Sequence, residues 1–286
     1  MRLNIVRHIV QVLVIALFLS PVLAELIWGI IPGDWFFFGT LSSSTILGEV
    51  VLVDPFAAIE SLVSSQKLPT ASLLMGSALV LLAYALIRGR VFCGWVCPVN
   101  LILEIVESIA RILRSKTRRR IASSSQGLHR LSRRTKIVVM FGFLLLSALC
   151  GYPVFELISP VGALFRFFVL GAVVGLWVLV ALVIVEVFFP GRLWCRKLCP
   201  LGGFYQLVGR IGFFSVKAKS GCVACDLCKD VCIADPTILD PVIEKTDNVV
   251  RSGDCMLCGK CVRACPKDLL NVRPCLPFGR PTKTTL

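Results

Sequence analysis

Histidine is nearly absent from this chain, with only His8 and His129 in 286 residues. A b-type haem inside a membrane needs facing histidines, and covalent haem attachment needs a Cys-x-x-Cys-His run, so both are excluded. Charge is scarce as well. Asp, Glu, Lys and Arg make up 17% of the chain and apolar residues 56%, with a mean hydropathy of +0.84. A soluble domain carries about 25% charged residues. This composition belongs in lipid. Acidic residues are the rarer sign, 17 against 31 Lys and Arg, for a formal charge of +14.

Cysteine is what the chain has in abundance, 14 in all. Eight fall in two matching runs, Cys222-x2-Cys225-x2-Cys228-x3-Cys232 and Cys255-x2-Cys258-x2-Cys261-x3-Cys265-Pro266. Three thiolates at this spacing wrap one face of a 4Fe-4S cubane, and the fourth cysteine of each run crosses to the other cluster. The first cluster is then expected on Cys222, Cys225, Cys228 and Cys265, and the second on Cys255, Cys258, Cys261 and Cys232. Structural zinc usually shows two separated Cys-x2-Cys pairs, and disulfide frameworks belong to small secreted chains. Both fit less well. Ile233 stands where proline follows the last cysteine of the other run, which weakens a turn signal and removes no ligand.

Four apolar stretches approach the roughly 20 residues that a membrane-crossing helix needs: Ile9 to Ile30, Thr70 to Ile87, Ile137 to Tyr152 extending toward Ile158, and Phe167 to Phe189. Pro21 should kink the first. Arg2 and Arg7 ahead of a run ending Val22-Leu23-Ala24 also resemble an export signal, although the run is long for one. Between the second and third stretches, Arg88 to Lys136 holds twelve Lys and Arg against Glu104 and Glu107. Ile31 to Pro69 holds Lys67 against Asp34, Glu49, Asp54 and Glu60. The positive segment is expected inside and the acidic one outside, which leaves both termini and all eight cysteines cytoplasmic. Orientation and anionic lipid account for the basic segment without nucleic acid.

The apolar region repeats itself. Asp54-Pro55-Phe56-Ala57-Ala58 leads through a span to Phe92-Cys93-Gly94-Trp95-Val96-Cys97-Pro98, and Ser159-Pro160-Val161-Gly162-Ala163 leads to Trp194-Cys195-Arg196-Lys197-Leu198-Cys199-Pro200. The pattern predicts a duplicated hairpin with an outer proline loop and an inner Cys-x3-Cys-Pro motif. Cysteines four apart share a helix face. Cys93, Cys97, Cys195 and Cys199 are therefore candidates for a further cluster or metal site, for redox-active thiols, or for packing. Cys150 is expected to be buried as a small apolar residue. Cys275 has no partner spacing. Glu25, Asp54, Glu156 and Glu186 lie near span ends, either as proton acceptors or as solvated interfacial charges.

The expected fold is mainly α: a polytopic membrane domain over residues 1–216, with four transmembrane helices in two repeated hairpins, then an α+β two-cluster ferredoxin domain over residues 217–286. With its paired Cys-x3-Cys-Pro motifs, its terminal ferredoxin runs and the text from Leu52-Val53-Asp54-Pro55 to Cys97-Pro98-Val99-Asn100, the chain resembles the NapH family along essentially its whole length. The resemblance implies an inner-membrane component of a quinol dehydrogenase. It would oxidise quinol and pass electrons to a periplasmic iron-sulfur protein of NapG type, and so, with a membrane cytochrome as a further candidate partner, to periplasmic nitrate reductase. A similar ferredoxin-type protein serves methylamine utilisation. A cluster-bearing assembly factor and a redox sensor are the other readings.

Overall fold

The computed structural model describes residues 2–28, 37–46, 50–66, 70–113, 132–171, 173–188 and 192–275. Most of the basic segment between residues 114 and 131 and the side chain of Glu25 lie outside the described residues. The chain forms two compact units. One gathers Met1–Val10, Leu82–Val96 and Gly202–Leu286, and the other Gln11–Leu81 and Cys97–Leu201. The unit that holds the ferredoxin runs thus also takes in three stretches that precede residue 217.

Helix α1 (Arg2–Trp28) runs through Pro21. Its stretch Leu3–Ala24 is long and apolar enough to cross a bilayer, while Ala71–Ile87, Thr135–Cys150 and Gly175–Val187 are apolar but shorter. At 1.5 Å per residue, 17 residues rise about 25 Å, less than the roughly 30 Å of hydrocarbon in a bilayer.

Two expected spans have different limits. The third does not extend toward Ile158, because Gly151 at φ 74° caps the helix Thr135–Cys150 with its N–H on Ser147 O. A separate turn, Val154–Ile158, follows. The fourth does not begin at Phe167, because the helix Pro160–Leu170 ends at Gly171 with φ 63°. The apolar helix starts afresh at Val174 and runs to Phe188. Glycine occupies the left-handed region without a Cβ penalty, so it stops both helices despite continuous hydrophobicity.

In the second unit, β1 (Phe37–Gly39), β2 (Ser43–Ile46) and β3 (Val50–Val53) form an antiparallel sheet in that order, with Ser43 opposite Val53 and Ile46 opposite Val50. The sequence reading contains no strand here. The next elements are α2 (Pro55–Ser65) and α3 (Ala71–Ile87). Gly76 of α3 lies against β3 so closely that an added Cβ would overlap the Val51 carbonyl oxygen. Backbone cannot yield as a side-chain tip can. Gly76→Ala is expected to destabilise this unit by about 1–3 kcal/mol, seen as a lower Tm by circular dichroism in detergent.

The repeat is visible in the way its helices start. Asp54 accepts from Ala57 N at 3.3 Å at the head of α2, and Ser159 accepts from Gly162 N at 3.3 Å at the head of Pro160–Leu170. Proline holds the first helical position in both, where its missing N–H costs nothing. Buried Glu60 in α2 accepts from Ser147 Oγ at 2.7 Å and from Phe155 N at 2.6 Å. Those bonds tie α2 to the helix Thr135–Cys150 and to the turn that follows it.

In the first unit, β4 (Phe214–Ala218) and β5 (Leu270–Pro274) pair antiparallel, from Phe214 opposite Pro274 to Ala218 opposite Leu270. They bracket both ferredoxin runs. Val216, Ala218 and Leu270 from the strands pack with Ile238, Leu239 and Val250 into one core.

Candidate iron-sulfur centres

The two cysteine runs have the same backbone form. Ala224 and Asp226 in the first have φ of 51° and 57°, and Leu257 and Gly259 at the matching places in the second have 49° and 73°. Left-handed residues interleaved with ordinary ones turn successive N–H groups into a concave nest that suits an anionic iron-sulfur cluster. Three non-glycine residues accept positive φ here, a conformation that aims their N–H groups where an anionic cluster would sit. Short helices, Leu227–Asp230 and Lys260–Ala264, then carry Cys228 and Cys261.

The structure brings thiols of the two runs together. One pocket has Cys222, Cys225, Cys228 and Cys265 in its wall, closed off by Ala218, Val242 and Leu270. Cys261 has Cys255, Cys258, Cys232 and Cys228 as electrostatic neighbours. Burial pushes the thiols of Cys228, Cys258 and Cys261 above their ordinary pKa, and neighbouring cysteines push further in the same direction. Thiols held neutral in this way become thiolates when iron supplies the compensating charge. Among the described residues, no three His, Cys, Asp or Glu converge tightly enough to share one metal ion. A cubane makes no such demand, since each cysteine ligates its own iron.

The Cys-x3-Cys-Pro motifs also match each other. Phe92–Val96 and Trp194–Leu198 are single π-helical turns, and helices start at Pro98 and Pro200 directly after Cys97 and Cys199. The i to i+5 bond from Cys199 N to Trp194 O measures 2.8 Å. The spacing thus sits on a π turn rather than the expected α-helical one, a form often found at functional sites. In the second unit, Cys97 and Cys199 are electrostatic neighbours of Cys195, whose thiol is pushed well up by burial. Glu186 accepts from Trp194 N at 3.0 Å and so caps that turn. Arg192, buried behind it, donates to Asn100 Oδ1 at 2.8 Å and to Glu107 Oε2 at 3.1 Å. Cys93 belongs to the first unit and packs against the ferredoxin core.

Other sequence candidates fall differently. Asp54 and Glu186 are occupied as caps, and Glu156 has Ser42 and Arg166 as neighbours. Cys150 is exposed, contrary to the expected burial. It is the last residue of its helix. Cys275 is half-buried, and its N–H donates to Phe213 O.

Arg88 and Arg90 count in the sequence only as flanking positive charge, whereas the structure buries both. Arg88 donates to the carbonyls of Phe214, Val250 and Ser252 at 2.6, 2.9 and 2.7 Å, and also to the Ser215 hydroxyl. Arg90 pairs with Asp254 at 2.8 Å, directly before Cys255. Trp95 Nε1 donates to Leu257 O at 3.2 Å. The available signal was their place, immediately around Cys93.

The family described as "4Fe-4S binding domain" matches residues 70–120 and 165–219, each of which contains one Cys-x3-Cys-Pro motif. The chain is 36% identical to the methylamine utilization ferredoxin-type protein MauN of Methylorubrum extorquens, over 93% of its own length and 87% of that protein. It is 33% identical to the ferredoxin-type protein NapH of Haemophilus influenzae, over 92% and 86% of the two chains. With NapH of Escherichia coli the identity is 31%, over 95% and 89%. No solved structure matches.

Proposed function

The chain belongs to the NapH family of ferredoxin-type proteins, and on that premise we propose that it is the membrane electron carrier that takes electrons from quinol for a periplasmic nitrate reductase system. As a 4Fe-4S electron-transfer protein of the Nap and Mau group it shares its cofactor type with those relatives. A 4Fe-4S cluster gains and loses one electron at a time. Oxidation of a quinol to a quinone releases two electrons and two protons, and two one-electron sites match that count.

The observation that carries this reading is the paired nests, with Cys265 in the wall beside Cys222, Cys225 and Cys228. The ligand sets are then Cys222, Cys225, Cys228 and Cys265 for one cluster, and Cys255, Cys258, Cys261 and Cys232 for the other. Cys97, Cys195 and Cys199, together with Cys93 by sequence pattern alone, are assigned to a further cluster rather than to a single metal ion. Along the sequence the proposed domain limits are 1–216 and 217–286, with Met1–Val10, Leu82–Val96 and the residues from Gly202 folding into the ferredoxin-side unit. Four membrane spans are supported by the apolar side chains that the shorter helices turn outward, with Met75 74% exposed, Leu149 77% and Trp177 72%, and a bacterial inner membrane with both termini cytoplasmic rests on the positive charge of the segment Arg88 to Lys136. Large apolar residues this bare are at home in lipid.

Anaerobic membranes given a reduced quinol analogue provide the test. Cluster signals should appear by electron paramagnetic resonance, and chemical cross-linking should capture the iron-sulfur partner of NapG type. Clusters that stay oxidised with that partner present would sink the proposal. The 36% identity to MauN supports a second reading, a carrier for methylamine oxidation. Capture of a methylamine-oxidising partner instead would select it.

A further inference from the structure

The two cysteine runs share spacing and backbone form but not cover. Cys225 is exposed, and beside it Val223 and Leu227 keep 55% and 45% of their surface. Cys255, Met256 and Leu257 are buried. Pieces of distant chain make the difference. Gly94 backs onto Met256, so that an added Cβ would stand 2.9 Å from its carbonyl oxygen, and Trp95 holds the Leu257 carbonyl. Leu3 of α1 fills the space over Gly259.

Arg7 lies four residues after Leu3, hence on the same face of α1. It is fully buried, it donates to Asn4 Oδ1 at 3.1 Å, and it is an electrostatic neighbour of Cys258. The local sequence leans the same way. Where the first run has Asp226 and Leu227, the second has Gly259 and Lys260. The second nest thus has Arg7 and Lys260 as cationic neighbours, Arg7 fully buried, whereas the first opens to water beside Asp226, which pairs with Lys229 at 3.3 Å.

We infer that the two iron-sulfur sites are held at different reduction potentials, the second set (Cys255, Cys258, Cys261 and Cys232) the more positive, and that Arg7 is the residue setting the gap. Adding an electron makes a cluster more negative. A buried cation favours that state, and burial without one opposes it. Water screens Asp226, at 57% exposure, so its influence on the first set is smaller. This assignment rests on the ligand sets proposed above.

The test is a redox titration of the full-length protein in detergent, followed by electron paramagnetic resonance, with iron and sulfide counted on every sample. In the parent protein the two ferredoxin sites should show two different midpoints. Arg7→Gln should move one of them negative by a tenfold change in its reduced fraction or more, 59 mV for a one-electron couple, and leave the other in place. Arg7→Lys keeps the charge and should restore most of the shift. Asp226→Asn tolerates the left-handed backbone and should move only the other midpoint, in the positive direction, which keeps the test decisive if Arg7→Gln fails to assemble. Two clusters whose midpoints do not respond, or respond together, overturn the inference while sparing the ligand sets. Iron and sulfide for fewer than two clusters overturn the ligand sets, and the inference with them.

Discussion

Asp254→Ala is expected to destabilise the ferredoxin-side unit by about 3–5 kcal/mol, the usual cost of stranding one member of a buried ion pair. Asp254 is 0% exposed and Arg90 1%. Arg90 Nη1 meets Asp254 Oδ1 at 2.8 Å, and Gln206 Nε2 donates to Oδ2 at 2.9 Å. Removing the carboxylate leaves a guanidinium in a medium that cannot solvate it. The readout is thermal bleaching of the visible cluster absorbance in detergent. The double variant Arg90→Met with Asp254→Leu should recover much of the loss, because a buried pair can be exchanged for apolar groups at little net cost. Equal bleaching temperatures for parent and Asp254→Ala would show that the pair is not buried as described.

Cys265→Ser should abolish the same cluster as Cys225→Ser, although 40 residues separate them and Cys261 is much nearer in sequence. The reciprocal variant, Cys232→Ser, should match Cys258→Ser. Each should lower bound iron and integrated spin by roughly half of what the two ferredoxin clusters contribute. The physical basis is the shared wall of Cys265 with the first triad, and the approach of Cys232 to Cys261. Uncrossed ligation makes the opposite forecast: Cys265→Ser would then share its residual spectrum with Cys258→Ser. The spectra alone decide between them.

These two expectations were unequally legible in the sequence. The two triads are legible from spacing, because three cysteines within seven residues have few ways to be far apart, and the expected crossing of the fourth follows the general pattern of two-cluster ferredoxins. The Arg90–Asp254 pair could not be read, since 164 residues separate its members. Arg88 is the same case, a charge next to an apolar run that reads as a solvated flank until carbonyls from residues 214, 250 and 252 enclose it. The helix ends at Gly151 and Gly171 stood in the sequence as cap signals, but unbroken hydrophobicity on either side outweighed them. Ala71–Ile87 agreed within a residue of its expected start because Pro69 and Gly89 bound the same stretch that its hydrophobicity marks.

By itself the sequence determined the number, order and spacing of the thiols, the internal repeat and the apolar stretches that precede the two cysteine runs. All of these are properties of neighbours along the chain, where backbone geometry limits the outcomes. Only the tertiary structure decided that Leu3, Arg7, Gly94 and Trp95 cover the second cysteine run and leave the first open. Burial and the electrostatics it amplifies depend on which distant segments exclude water, and no local pattern specifies that.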